Sequence, residues 1–305
     1  MTNTRVLVIG EALIDVVDRG DGSAPVRHVG GSPLNVAFGL ARLGIPTTFA
    51  TEFGDDADGA AIAAHLAGAG VEVARTAAGA HRTATALARI QPDGSAEYVF
   101  DIDWTFPQPP PTDRADVVHI GSIGSLRAPG AVGVLALVEG LPSDVLVTFD
   151  PNVRPALLPS VVETRALVER YAARAQVVKL SDEDAAWLYP EDPSSAPARL
   201  LAQGARLVAV THGAEGSVVH TAGGERRVPA RRTAAVDTIG AGDAYMSGLI
   251  AALLPHADAL TGGEGLDADA LDAVGRVAAT TSSLTVARAG AMPPTAEELA
   301  AALAG

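Results

Sequence analysis

The 305-residue chain contains no cysteine. Disulfides, thiolate nucleophiles and cysteine-ligated zinc or iron–sulfur centres are therefore excluded. Lysine is almost missing as well: Lys179 is the only one, so 21 of the 22 basic residues are arginine. A Walker-type phosphate loop needs a lysine after its glycines and has no candidate here, and Schiff-base chemistry would rest on one side chain. Aromatic residues make up only 4%, which leaves Ala, Val and Leu to build the core. Basic residues are outnumbered by acidic ones, 22 against 36, for a net charge of −14. Such a chain repels phosphate backbones and anionic lipid, so neither nucleic acid nor a membrane is expected as a partner. No run approaches the roughly 18 uninterrupted apolar residues of a membrane span. Arg5–Gly10 reads as a first strand rather than a signal peptide. A soluble, cytoplasmic protein is expected.

What is abundant points to one fold class. The chain is 48% apolar, and its length is ample for one large α/β domain or two smaller ones. Short β-branched runs at Arg5–Ile9, Thr47–Thr51, Val117–Ile120, Val145–Phe149, Gln176–Leu180 and Leu207–Thr211 read as strands. Helical patterns lie between them at Pro33–Leu43, Ala57–Ala69, Pro129–Glu139, Val161–Arg174 and Ala196–Gln203. That alternation predicts right-handed βαβ crossovers: an α/β fold with a mainly parallel central sheet flanked by helices. Beyond Thr211 come a hairpin (Ser217–His220 with Arg226–Val228) and two long helices near Gly242–Leu254 and Asp267–Leu284. Two stretches, Ala12–Val29 and Thr83–Asp101, are extended but lack helices, with turn signals at Asp21-Gly22 and Pro92-Asp93-Gly94. They read either as a small β lid, spanning about 12–30 and 82–106 of a single 1–305 domain, or as two ordinary surface hairpins. Pro107–Pro111 reads as a stiff connector.

The run Asp237-Thr-Ile-Gly-Ala-Gly-Asp243, followed at once by a helical pattern, carries the chemistry. Small residues at Gly240, Ala241 and Gly242 let backbone amides face one concavity at a helix N-terminus, which binds anions. Asp243 then stands beside that hole, where a carboxylate suits a general base deprotonating an alcohol that attacks phosphorus. Taken alone, the same residues equally describe a helix cap after a glycine turn.

These residues resemble the second signature of the ribokinase-like (PfkB) carbohydrate kinases, matched at Asp237, Thr238, Gly240, Ala241, Gly242 and Asp243. The first signature of that family is matched by Gly30-Gly-Ser-Pro-Leu-Asn35-Val-Ala-Phe-Gly-Leu-Ala-Arg-Leu-Gly44. Shorter matches at Gly10–Asp15, Gly54–Gly59, Asp150–Arg154 and Thr211–Gly216 fall in the family's order along the chain. The resemblance implies an ATP-dependent sugar kinase with Asp243 as base and the Gly240–Gly242 amides as anion hole. It further implies that Asp15, Gly30, Gly31 and Asn35 hold sugar hydroxyls, that Arg154 meets the sugar or the moving phosphoryl group, and that Thr211, Gly213 and Gly216 flank the nucleotide. Ser181 and Asp184 stand where the family has Asn-x-x-Glu, which places Ser181 at ATP and Asp184 at Mg²⁺ through water. A helix cap by Ser181 is the alternative at that point. A monovalent cation, K⁺, is implied at Asp237, Ile239, Thr285, Arg288 and Gly290, although Pro294 replaces a serine that ribokinase offers. Gly54–Gly59 reads as a structural turn and cap. Lys179 reads as a phosphate neutraliser or, preferred, as a side chain snorkelling from a strand end. Arg226, Arg227, Arg231 and Arg232 form a basic cluster, either drawing in ATP or simply solvated.

Fructose is the first-choice acceptor, on the strength of Asp150-Pro-Asn-Val-Arg154. Ribose, 2-keto-3-deoxygluconate and nucleosides remain alternatives, as does a protein that binds sugar or nucleotide without catalysis. A dinucleotide oxidoreductase is disfavoured because Gly10-Glu-Ala-Leu-Ile-Asp15 stands where a G-x-G-x-x-G turn would follow the first strand. The exposed face of the lid is the candidate surface for a homodimer, and Trp104 and Phe100 are either ligand-packing residues or a small lid core.

Overall fold

The computed structural model describes residues 4–77, 82–91, 96–113 and 115–305. The chain opens with strands β1 (Val6–Ile9), β2 (Leu13–Asp18) and β3 (Val26–Gly30), then helix α1 (Ser32–Arg42), β4 (Thr47–Thr51), α2 (Ala57–Ala69) and β5 (Glu72–Arg75). Next come β6 (Ala84–Ile90), β7 (Ala96–Asp101), β8 (Val117–Gly121), α3 (Ile123–Leu126), α4 (Gly130–Glu139) and β9 (Leu146–Asp150). The middle continues through α5 (Val161–Ala172), β10 (Val177–Ser181), α6 (Asp182–Leu188), α7 (Ala196–Gln203), β11 (Leu207–Thr211), β12 (Ser217–Thr221) and β13 (Gly224–Val228). Helices α8 (Ala241–Leu253), α9 (Ala257–Thr261), α10 (Ala268–Val286) and α11 (Ala296–Ala304) complete it.

Among the described residues these strands form two sheets. The larger runs β13-β12-β11-β10-β9-β8-β1-β4-β5. Its strands from β5 to β11 pair in parallel, and β12 and β13 add an antiparallel edge. The parallel strands inside this sheet are buried on both faces, which is why they read as unbroken apolar runs such as Val6-Leu-Val-Ile9, whereas the edge strand β5 is partly exposed. One core packs on each face: Leu7, Ile120 and Phe149 belong to one, Val8, Leu146 and Val177 to the other. Helix boundaries follow local chemistry. Pro33 stands in the first turn of α1, and the Asp56 carboxylate caps α2 by accepting from Gly59 N at 2.8 Å. Capping boxes start α6 (Ser181 with Asp184) and α11 (Thr295 with Glu298).

The smaller sheet runs β3-β2-β6-β7, with β2 and β6 parallel and the two outer pairs antiparallel. The β2–β6 pairing joins the two extended stretches into a single sheet in place of two separate hairpins. Of the two turns expected there, Pro92-Asp93-Gly94 lies outside the described residues. Trp104 is 2% exposed and stacks on Phe106 at 5.8 Å, so it is a core side chain rather than a ligand platform. No helix among the described residues is long and apolar enough to cross a membrane.

Candidate active site

From β1 the chain moves outward to β4 and β5, then returns to β8 on the other side of β1 and proceeds the opposite way. Such a reversal opens a crevice at the carboxyl ends of the strands, where open α/β sheets bind ligands. Gly10 and Gly121 sit there so closely that a β-carbon on Gly10 would stand 2.4 Å from the Gly121 carbonyl. Glu11, 2% exposed, closes the crevice floor by accepting from Ser122 Oγ and from Gly124 N. Burial raises its carboxyl above the ordinary value, while these hydrogen bonds pull it back.

Asp243 lies in the first turn of α8 and is 7% exposed. Its Oδ1 accepts from Ser32 Oγ at 2.7 Å and its Oδ2 from Asn35 Nδ2 at 2.8 Å. Ser32 and Asn35 are one turn apart on α1, so one helix face presents both donors. Asn35 thus engages the carboxylate through its amide nitrogen, which leaves its carbonyl oxygen as the remaining acceptor. Ser32 was not among the expected residues, because its partner Asp243 is 211 residues away along the chain. Gly240 caps α8 at φ 73°, a conformation that favours glycine, and a β-carbon there would come 2.4 Å from that of Ala291. The Ala241 amide does not face the concavity: it donates to the Thr238 carbonyl at 3.2 Å. The first-turn amides of Gly242 and Asp243 have no protein acceptor among the described residues, as helix geometry requires. Of the three amides expected to face an anion, that of Ala241 is thus engaged within the turn.

Asp15 on β2 is half-buried, and burial raises its carboxyl; Arg154 and His28 counteract this, and Asp243 adds to it. Arg154 and Asp243 thus both lie within electrostatic reach of Asp15. Gly30 leaves room for the Asp15 side chain, because a β-carbon would fall 2.1 Å from Asp15 Oδ2. Gly31 has φ 109°, and a β-carbon would stand 2.7 Å from the Glu11 carbonyl. Arg154 is exposed, its Nη1 donating to Asn152 Oδ1 at 2.7 Å.

Lys179 corrects the sequence-based expectation. It does not snorkel: it is 3% exposed and Nζ donates to Asp150 Oδ2 at 3.0 Å. The register places it beside β9 rather than solvent, on a strand covered by helices. Burial alone would lower Lys179, but the carboxylates of Asp150, Asp184 and Asp243 outweigh it and hold the ammonium above its ordinary value. Burial pushes Asp150 up to about 6, with Lys179 pulling it back. His119, its Nδ1 3.0 Å from Thr148 Oγ1, is driven down to about 3 by burial and by Lys179, and is neutral.

Asp184 is 4% exposed, with both carboxylate oxygens engaged: Oδ1 accepts from Val153 N at 2.7 Å and Oδ2 from Ser181 N at 2.9 Å. Ser181 Oγ accepts in turn from Asp184 N at 2.9 Å. The pair is a cap first, and it ties β10 to the turn after β9. Thr211 ends β11 next to Ser181, and Gly213 (φ 51°) and Gly216 (φ 98°) form the turn beyond it. Asp237 joins two distant loops, accepting from Ile239 N at 2.9 Å and from Gly290 N at 2.9 Å. In the second loop Arg288 N donates to the Thr285 carbonyl at 3.0 Å, and the Arg288 guanidinium pairs with Glu298. The five residues expected around a cation therefore share one corner beside α8. Of the basic cluster, Arg227, Arg231 and Arg232 are exposed and Arg226 is partly so.

The chain was compared with known proteins. Residues 3–298 match the family model described as pfkB family carbohydrate kinase. A fructokinase of Rhizobium leguminosarum bv. trifolii is 33% identical over 261 residues, 81% of this chain and 79% of that protein. A crystal structure of the fructokinase of Xylella fastidiosa with bound ATP superposes with a TM-score of 0.83 at 26% identity, covering 100% of this chain and 99% of that one. A double mutant of the Vibrio cholerae O395 fructokinase, in a form with fructose, ADP and potassium ion bound, gives a TM-score of 0.77 at 25% identity, over 99% and 97% of the two chains. Match and geometry agree from the first strand to the last helix: the chain belongs to the pfkB family of carbohydrate kinases, and it is a sugar kinase.

Proposed function

We propose that this kinase is an ATP-dependent fructokinase, transferring the γ-phosphoryl group to a primary hydroxyl of fructose. The observation that carries the reading is the Asp243 carboxylate, fixed by Ser32 and Asn35 beside the free amides of Gly242 and Asp243. Two hydrogen bonds leave that carboxylate one orientation and keep lone pairs for an incoming hydroxyl proton. As the sugar oxygen bonds to phosphorus, its proton passes to Asp243. Charge on the transferring group is taken up by the helix N-terminus. Asp15, set by Gly30, and Asn35 through its carbonyl oxygen orient sugar hydroxyls, with Arg154 at the rim. The small sheet serves as a lid that excludes water.

ATP is assigned to the edge formed by Ser181, Thr211, Gly213 and Gly216. Fructose as acceptor is supported by the Rhizobium and Vibrio relatives and by Asp150–Arg154. For Mg²⁺, no three acidic or histidine side chains converge among the described residues, and Asp184 is already engaged. The residues fit an ion that arrives on the nucleotide, held by phosphate and water with Asp184 at its edge. When bound, magnesium neutralises phosphate charge. K⁺ is assigned to the corner joined by Asp237. A homodimer would form on the face of the small sheet that carries the exposed Val26 and Tyr98.

The test is a coupled ADP assay across fructose, ribose, 2-keto-3-deoxygluconate, adenosine and fructose 6-phosphate, with Asp243→Asn alongside. Turnover on fructose is expected to exceed the others, and the variant to lose about 10²–10⁴ in kcat. Preference for another acceptor removes the fructose assignment, and near-normal turnover in the variant removes Asp243 as base.

A further inference from the structure

Lys179 stands in a place that its structural surroundings do not account for. The chain uses arginine at every other basic position and one lysine, on a central strand, 3% exposed. A β-carbon on Gly242 would stand only 3.0 Å from Lys179 Nζ, so the ammonium lies directly under the first turn of α8. An ammonium has three hydrogens to donate, and Asp150 Oδ2 is the one acceptor it meets among the described residues. Asp150 Oδ1 is likewise buried and without a partner. Leaving donors unmatched in a buried place is costly unless a ligand completes them.

The charges give the direction. Asp150, Asp184 and Asp243 all act on Lys179, so its surroundings are acidic before any phosphate arrives. Arg154, which acts on Asp15 as Asp243 does, is exposed and bound to Asn152. A transferring phosphoryl group beside Asp243 therefore needs a compact positive charge from below. A planar guanidinium would demand more room than Gly242 leaves.

We propose that Lys179 is a catalytic residue that holds an oxygen of the transferring phosphoryl group together with the Gly242 and Asp243 amides, and that Asp150 is its positioning residue. In the step, the sugar oxygen–phosphorus bond forms while the bond between the γ-phosphorus and the β,γ-bridging oxygen breaks. The leaving electron pair stays on the ADP oxygen, and the hydroxyl proton goes to Asp243. Lys179 supplies charge and hydrogen bonds and transfers no proton. The proposal rests on the phosphoryl site lying at the start of α8.

The full-length chain is tested as Lys179→Met and as Lys179→Met/Asp150→Asn, the second leaving no lone buried charge. Both are expected to lose about 10²–10³ in kcat, as for removal of one oxyanion donor, with KM for fructose within about threefold of wild type. The double variant should melt within a few degrees of wild type. A folded double variant with kcat within about threefold of wild type overturns the proposal and makes the pair purely structural. A second readout exploits the single lysine: ¹³C,¹⁵N-lysine labelling gives one side-chain signal from the whole protein. That signal should move on adding ADP, aluminium fluoride and fructose together, and not with fructose alone. An unmoved signal in a complex that retains ADP through gel filtration also overturns it. Failure of the kinase reading looks different, because wild-type protein would then consume no ATP with any sugar, and the proposal would fall with it.

Discussion

The closeness of Gly30 to Asp15 makes the sugar site open to a test by a single methyl group. Gly30 ends β3 outside the left-handed region, so alanine costs its backbone little. The added β-carbon would meet Asp15 Oδ2 at 2.1 Å and Cγ at 3.1 Å, far inside contact distance, so the carboxylate must swing away. If Asp15 orients a sugar hydroxyl, Gly30→Ala removes one charge-assisted hydrogen bond, worth about 1.5–3 kcal/mol. At about 1.4 kcal/mol per factor of ten, KM for fructose should rise roughly 10–100-fold. The loss should fall on binding more than on kcat, since Asp243 and its two donors are untouched. Steady-state kinetics and fructose calorimetry read it. A double-mutant cycle isolates the cause: in an Asp15→Ala background the space is vacant, and Gly30→Ala should then change KM less than about twofold. An equally large effect in that background would refute the reasoning, because the methyl group would be acting through the backbone. Gly31→Ala is the contrasting case. Its φ of 109° and its approach to the Glu11 carbonyl strain the fold itself, so it should lower the melting temperature.

Two further outcomes follow from the caps and loops. Asp56 is depressed to about 2, first by the Thr83 hydroxyl and then by the Thr83 amide. A carboxylate lowered on folding stabilises the protein fully above its unfolded value, and that contribution fades as pH falls from about 4 towards 2. Asp56→Ala should cost about 1 kcal/mol by loss of the cap, and thermal melts should show a shallower decline in that acid window than wild type. An unchanged acid limb counts against the Asp56–Thr83 tie. Asp237→Ala frees the loop around Ile239 from that around Gly290, so any acceleration by KCl over LiCl in wild type should vanish in the variant. A variant retaining the full potassium response places the cation elsewhere.

What the sequence revealed was local. The parallel strands were visible because burial on both faces leaves unbroken apolar runs, and α2 and α7 were bounded correctly by their flanking residues. The turn from Gly240 to Asp243 was legible because its residues are neighbours. Two elements escaped: β5 is four residues with charges at both ends, and α11 was not read although Thr295 and Glu298 form a capping box at its start. The partners of Asp243 are 211 and 208 residues away, so no spacing rule could name Ser32 or assign Asn35 its actual bond.

The polar residues inside the sheet show why the remainder was hidden. His119 pairs in register with Thr148, and Asp150 with Gly121, while Lys179 follows the Val178–Phe149 pair by one residue. Each strand taken alone contains one or two residues that look like minor faults in an apolar run, or like a strand end reaching solvent. Only the register lines them up across β8, β9 and β10, leading to the carboxyl edge below α8. Strands buried on both faces exclude unpaired charge, so a sequence that places histidine, aspartate and its single lysine there departs from its own local rule. Such departures are expected where function demands them. The informative signal was thus the conflict between Lys179 and its strand, and reading it as a side chain escaping to water removed the conflict too early. A buried ammonium with one hydrogen-bond acceptor among the described residues has to be explained by what completes it, and its Nζ would lie 3.0 Å from a β-carbon on Gly242, at the start of α8.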